Sequence, residues 1–210
     1  MRRAPIALWL LLATLAATPA LAQLSINFGN SGVSIGINLG SYPTFQRVPG
    51  YPVYYAPGVS SNYFFYDGLY WVYQRDNWYA SSWYNGPWEI VDPVYVPTYV
   101  LWVPIRFYRR PPAYFRGVRP GNPPRWSEHW GRDWQARHNA IFGGRAGPVP
   151  APAPLPHYQR QYTRENYPRG AQQGALHSQY YGYQRRDAVA QQRPARQEGH
   201  RDEGQREQRR

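Results

Sequence analysis

Four carboxylates, Asp67, Asp76, Glu89 and Asp92, are the only acids between Gln23 and Ile105 of this 210-residue chain, and they are the first candidates for acid–base chemistry. A converging pair of carboxylates is what glycoside hydrolysis needs, so Asp67, Asp76 and Glu89 are the residues a glycan-directed hydrolase would use. Each also has a local role. Asp67 precedes Gly68, Asp76 precedes Asn77 and Asp92 precedes Pro93, all settings where aspartate bonds its own backbone in turns and strand ends. Glu89 alternates with Trp88 and Ile90 and so lies on the opposite strand face from them. The histidines, His129, His138, His157, His177 and His200, all follow the carboxylates. His129 and Asp133 are four apart and share a face if helical, but two ligands make no zinc site. The chain has no cysteine, which excludes disulfides, thiolate nucleophiles and thiolate metal ligands. A Gly-rich phosphate loop, a nucleophile elbow and a His-Glu metal motif are all missing. The sequence therefore offers no catalytic residue, no metal site and no cofactor.

Binding chemistry is better represented. Twelve of the twenty-six residues from Tyr63 to Trp88 are aromatic. Tyr70, Trp71, Trp78, Trp83 and Trp88 are candidates for stacking on sugar rings if a sheet displays them. The same rings could instead be a core wrapped by Pro- and Tyr-rich loops. Arg106, Arg109, Arg110 and Arg116 form the nearest basic cluster, and guanidinium forks suit phosphate and carboxylate.

Leu24 to Leu39 alternates around Gly29-Asn30-Ser31-Gly32, a β-hairpin pattern. Tyr42 to Gly58 carries Pro43, Pro49, Pro52 and Pro57 and reads as an extended connector wrapping the body. Asp67-Gly68 as a two-residue turn sets Tyr66 against Leu69, Phe65 against Tyr70, Phe64 against Trp71 and Tyr63 against Val72. Asn85-Gly86 suggests a second hairpin with Trp83 opposite Trp88 and Ser81 opposite Ile90, although Pro87 leaves a longer loop from Tyr84 to Pro87 equally open. With Gln74 to Asn77 as a polar turn, Asn62 to Val91 is a four-stranded meander. Trp126, Trp130 and Trp134 are spaced for one helical stripe, giving a short amphipathic helix near 123–138 that docks on the sheet. The expected fold is mostly β: a small antiparallel meander and hairpin sheet, one short C-terminal amphipathic helix, and a long disordered tail.

Residues 1–22 have Arg2 and Arg3, an apolar run from Ile6 to Leu15 and Ala20-Leu21-Ala22, the pattern of a signal peptide cleaved after Ala22. This places the mature chain in the periplasm or outside the cell. No later segment reaches membrane-spanning length, so any membrane association would be peripheral. The domain plan is then a signal peptide at 1–22, an aromatic mostly-β domain at 23–142, and a Pro-, Gln- and Arg-rich tail at 143–210 expected to be disordered. The formal net charge is +12, with no lysine. Two arginines face four acids from Gln23 to Ile105, whereas twenty face eight from Arg106 onward. Such asymmetry points to an anionic partner.

The runs YPVYYAPG, YFFYDGLYWVYQ, NWYASSWYNGPW and VPIRFYRRPPAYF, followed by PPRWSEHWGRDW, resemble a family of small exported proteobacterial proteins rich in Tyr, Trp and Pro that has no assigned activity. The similarity covers roughly Ser34 to Trp134. It implies a bacterial envelope setting and carries no catalytic residue. The expectation is a non-catalytic envelope-associated binding or structural protein, an aromatic β body with a basic tail that contacts anionic envelope polymers or proteins, its partners a polysaccharide, lipopolysaccharide or an envelope protein, with nucleic acid disfavoured by export. The two other classes left open are the glycan-directed hydrolase and a purely structural surface component.

Overall fold

Asp67 and Gly68 both adopt left-handed backbone, with φ of 49° and 83°. That is the primed hairpin turn whose twist matches the flanking strands. It joins β3 (Asn62–Tyr66) to β4 (Leu69–Gln74) in the register the sequence predicts, with Tyr66 opposite Leu69 and Tyr63 opposite Val72. Arg75 and Asp76 repeat the device without glycine, at φ of 50° and 63°, and connect β4 to β5 (Asn77–Ser81). In the computed structural model, which describes residues 33–143 and 148–187, these strands lie inside a six-stranded antiparallel sheet in order β1-β2-β3-β4-β5-β6. The expected signal peptide at 1–22 and residues 188–210 of the expected tail lie outside the described residues.

The outer strands depart from the sequence reading. The Tyr42 to Gly58 connector does pair, as β1 (Gln46–Arg47) and β2 (Tyr54–Tyr55), which extend the sheet beyond β3. Its prolines fall outside these two-residue strands, so no ladder donor is missing. At the other edge, β6 (Glu89–Val91) sets Ala80 opposite Glu89 and Tyr79 opposite Ile90, not Ser81 opposite Ile90. The longer loop is the one formed. Of the expected Leu24 to Leu39 hairpin, residues 24–32 are outside the described part. Val33 makes one bridge to Trp88, and Ile35, Ile37 and Leu39 pack on the sheet without forming a strand.

Because alternate side chains of β3 and β4 point to opposite faces, and both sets are aromatic, the sheet has two cores. One face carries Phe64, Trp71, Tyr73 and Trp78 and is covered by α1 (Thr98–Leu101), by α2 (Trp126–Phe142) and by the chain between them. The expected single short helix gives way to three. α2 starts after Pro123-Pro124 and is broken at Gly131, whose φ of 84° and ψ of 175° are not helical. Trp126 is nevertheless inserted edge-on to Tyr73 and donates Nε1–H to the Leu101 carbonyl at 2.9 Å.

The other face carries Tyr63, Phe65, Tyr70, Val72 and Trp88, and the segment expected to be disordered covers it. Residues 148–187 are folded onto the sheet, through a 3₁₀ turn His157–Gln161 and α3 (Gly170–Tyr180). The physical reason is that Tyr158, Tyr167, Tyr181 and Tyr183 bring aromatic area to a face that Ile35, Ile37, Leu39, Tyr42 and Phe45 cover only in part. Gly68 is part of that contact, since a Cβ there would lie 3.3 Å from Tyr181 and 3.4 Å from Arg185 and Tyr183. Gly68→Ala should therefore cost about 2 kcal/mol, the left-handed backbone penalty with some displacement of Tyr181, read as a lower urea midpoint.

Candidate functional site

The five rings expected to stack on a ligand are core residues. Tyr70, Trp78 and Trp83 are 0% exposed and Trp71 and Trp88 are 2% exposed, so none offers a face to solvent. Trp83 shows why. Tyr158, Tyr162 and Tyr167 meet its ring edge-on at 5.4–5.7 Å, and its Nε1–H donates to the Gln173 carbonyl at 3.1 Å. Tyr70, Trp83 and Trp88 lie on the face that the protein's own C-terminal segment covers, whereas Trp71 and Trp78 belong to the opposite core under α1 and α2.

The arginines behave differently. Arg106, Arg109, Arg110 and Arg116 are exposed, together with Arg119 and Arg125, on the segment from residue 105 to 125, which contains no acid. Two backbone bonds, Ile105 N–H to Asn122 O at 2.9 Å and Arg106 N–H to Pro120 O at 3.1 Å, close this segment into a lobe. Asn62 clamps it to the sheet. Its side chain accepts from Arg110 N–H at 2.8 Å and donates to the carbonyls of Arg110 and Tyr73 at 2.9 and 3.1 Å. Arg125 pairs with Glu128, whereas Arg106, Arg109, Arg110, Arg116 and Arg119 are in no ion pair with a described residue. Arg106 stacks on Phe107, leaving its charge at the surface.

Where this lobe meets the sheet, one carboxylate oxygen gathers three donors. Asp76 Oδ1 accepts from Tyr73 Oη at 2.6 Å, from Tyr114 Oη at 2.8 Å and from His129 Nε2 at 2.7 Å. The two tyrosine hydroxyls also touch each other. His129 lies flat against Tyr114, with centroids 3.9 Å apart and ring planes 7° apart. Partial burial alone would raise the Asp76 carboxyl. The hydrogen bonds from Tyr73, Tyr114 and His129, with the imidazole charge, together hold it below the ordinary value. His129 is therefore partnered by Asp76 and not by Asp133, its neighbour along the helix, because Gly131 breaks the helix between them. Beside the cluster opens a cleft of about 510 Å³, lined among others by Ser61, Gln74, Arg75, Asp76, Arg110 and Tyr114. Tyr114 escapes sequence reasoning, since it and His129 lie 38 and 53 residues from Asp76 and carry no local motif, and Tyr73 and Arg75, close to Asp76 in sequence, gain a role only when those distant partners arrive.

The other carboxylates do not join this site. Asp67 and Asp76 occupy the turns at opposite ends of the six-residue β4, roughly 20 Å apart along the strand. Glu89 faces Ala80, four positions and roughly 13 Å along β5 from Asp76. Both separations exceed the ~5–9.5 Å of glycosidase carboxylates. Asp67 is 6% exposed and binds the C-terminal segment, accepting from Tyr183 Oη at 2.8 Å and from the backbone N–H groups of Arg186 and Asp187 at 2.9 Å each.

Burial, followed by the charge of Asp67, pushes the Asp187 carboxyl up to about 6. A raised acid favours the fold while it is protonated. Stability should therefore fall as pH rises from about 4 through about 6, by on the order of 2 kcal/mol, and Asp187→Asn should flatten that part of a urea-midpoint profile.

Among the described residues there is no group of three or more His, Asp or Glu able to hold a metal ion, and no helix long and apolar enough to cross a membrane. Comparison with protein-family models, with curated proteins and with solved structures finds no match for this chain.

Proposed function

We propose that this is an exported, non-catalytic binding protein of the bacterial envelope whose arginine lobe contacts anionic envelope polymers such as lipopolysaccharide. The observation that carries the reading is the acid-free lobe of residues 105–125, with five exposed arginines in no ion pair with a described residue, held in shape by backbone hydrogen bonds and Asn62. Unpaired guanidiniums on a fixed frame raise the local concentration of polyanions and bind phosphate or carboxylate bidentately. The export part rests on Arg2, Arg3 and the apolar run ending in Ala20-Leu21-Ala22. In this reading the aromatic rows are the scaffold, and the lobe is the contact surface.

Replacing Arg106, Arg109, Arg116 and Arg119 together by glutamine should weaken binding to lipopolysaccharide about thirtyfold, taking roughly 0.5 kcal/mol for each exposed contact. The same change should flatten the dependence of binding on salt. Binding measured by sedimentation or surface plasmon resonance that survives the quadruple substitution, or that ignores ionic strength in the unaltered protein, contradicts the proposal.

A further inference from the structure

The cleft beside Asp76 has a composition the polyanion surface alone does not require. A surface that only neutralises charge needs guanidiniums, whereas here a fixed aromatic ring and planar polar groups stand beside them. Tyr114 is 45% exposed. Its ring is immobilised twice, by stacking on His129 at 3.9 Å and by its hydroxyl on Asp76 at 2.8 Å. A half-exposed ring held in one orientation offers an electron-rich surface to the C–H groups of a pyranose. Around it, Asp76 and Gln74 present carboxylate and amide oxygens. Asp76 spends one oxygen on its three donors, and Gln74 spends its amide nitrogen on the Ile35 carbonyl at 3.2 Å, so in each an acceptor oxygen remains for ligand hydroxyls. Arg75 and Arg110 line the same cleft, and neither is in an ion pair with a described residue. Two guanidiniums against one carboxylate favour a ligand that is itself anionic. The volume of about 510 Å³ lies in the range of small-ligand sites, roughly 300–1,000 Å³.

We propose that this cleft is a saccharide subsite for a sugar residue bearing a carboxylate or a phosphate, stacked on Tyr114 with its anionic group between Arg75 and Arg110. This rests on the reading of the arginine lobe as a polyanion surface and names the unit of polymer that surface selects. The lobe supplies non-specific attraction, and the cleft supplies recognition of one ring.

Calorimetry of the full-length protein with trigalacturonate and with glucose 6-phosphate, against neutral galactotriose and glucose, tests it. At least one acidic sugar should bind about tenfold more tightly than its neutral counterpart, the factor expected from one charge-assisted contact. Binding of trigalacturonate alone assigns a carboxylate ligand, and binding of glucose 6-phosphate alone a phosphate one. Arg110→Gln and Tyr114→Ala should each remove most of that affinity. Arg110→Gln guards against a folding artefact, because the hydrogen bonds of Arg110 to Asn62 use its backbone only. The proposal fails if neither acidic sugar binds, if neutral sugars bind equally well, or if Arg110→Gln binds like the unaltered protein. The lobe is judged separately, on lipopolysaccharide and with Arg116→Gln and Arg119→Gln, which lie outside the cleft. Polymer binding that depends on those arginines while short acidic sugars fail overturns the subsite alone. The converse supports the subsite and overturns the lobe.

Discussion

A chain ending at Gly143 is expected to lose its cooperative fold, although everything up to that point contains the whole sheet. Residues 148–187 cover the face that carries Tyr63, Phe65, Tyr70, Val72 and Trp88, each at most 2% exposed, and they also enclose Trp83 at 0%. Removing Tyr158, Tyr167, Tyr181 and Tyr183 with their backbone would uncover the rings the segment touches directly, Tyr70, Trp83 and Tyr84. At about 1.5–3 kcal/mol for each, the loss is about 4.5–9 kcal/mol, on the scale of the entire stability of an ordinary domain. The segment of Ile35, Ile37, Leu39, Tyr42 and Phe45 already covers its own part of this face, and α1 and α2 occupy the opposite one, so neither is free to replace the lost cover. The truncated chain should lack a sigmoidal thermal transition, show no near-ultraviolet circular dichroism and bind a hydrophobic dye. A cooperative melt within a few degrees of the full-length protein would mean that the second face closes on itself and that the C-terminal segment is an appendage.

What the sequence reveals, and where it stops, follows the range of the interactions involved. The β3–β4 register is legible because Asp67-Gly68 encodes it locally, and strict alternation then assigns both faces. The β5–β6 register is not, although Asn85-Gly86 is an equally good turn signal. There the turn's polar groups are taken by distant partners: Asn85 Oδ1 accepts from Leu39 N–H, Asn85 N–H donates to Tyr167 Oη, and Gly86 O accepts from Tyr167 and Gln173. The C-terminal segment looks disordered because its apolar residues are irregularly spaced tyrosines among Pro, Gln and Arg. Their partner is a sheet face some 80–120 residues away, as Tyr70–Gln159 and Asp67–Tyr183 show with separations of 89 and 116 residues. For the face of Tyr63, Phe65 and Tyr70, whether the rings are core or surface turns largely on that one segment, whereas Trp71 and Trp78 are covered by α1 and α2. Arg106, Arg109, Arg110 and Arg116 are visible in sequence because they cluster along it. The Asp76, Tyr114 and His129 cluster is not, since it is assembled only when the lobe and α2 dock beside the β4–β5 turn.

Gln159 should be the most sensitive polar residue among those described. It is 0% exposed and its amide is fully used. Oε1 accepts from Tyr70 Oη at 2.8 Å and from Tyr84 N–H at 3.1 Å, while Nε2 donates to the Ser82 carbonyl at 2.9 Å and to Tyr158 Oη at 3.1 Å. A buried amide with all of these bonds made costs little to bury, and it ties the C-terminal segment to β4 and to the β5–β6 loop at once. Gln159→Leu keeps most of the volume but leaves Tyr70 Oη, Tyr84 N–H and Ser82 O unpartnered in a site without water access. At about 1–3 kcal/mol for each orphaned group, reduced by relaxation, the expected loss is about 3–5 kcal/mol. Tyr70→Phe, by contrast, should cost only about 1 kcal/mol, because Oε1 still accepts from Tyr84. The pair makes a diagnostic cycle. Combined with Gln159→Leu, Tyr70→Phe removes one of the orphans, so the double variant should be no less stable than Gln159→Leu alone. The urea midpoint measures the energies, while a red shift of tryptophan emission and faster trypsin cleavage after Arg160, Arg164 and Arg169 report that the segment has lifted from Trp83. If Gln159→Leu melts with the unaltered protein and these arginines stay protected, aromatic packing alone holds the second face.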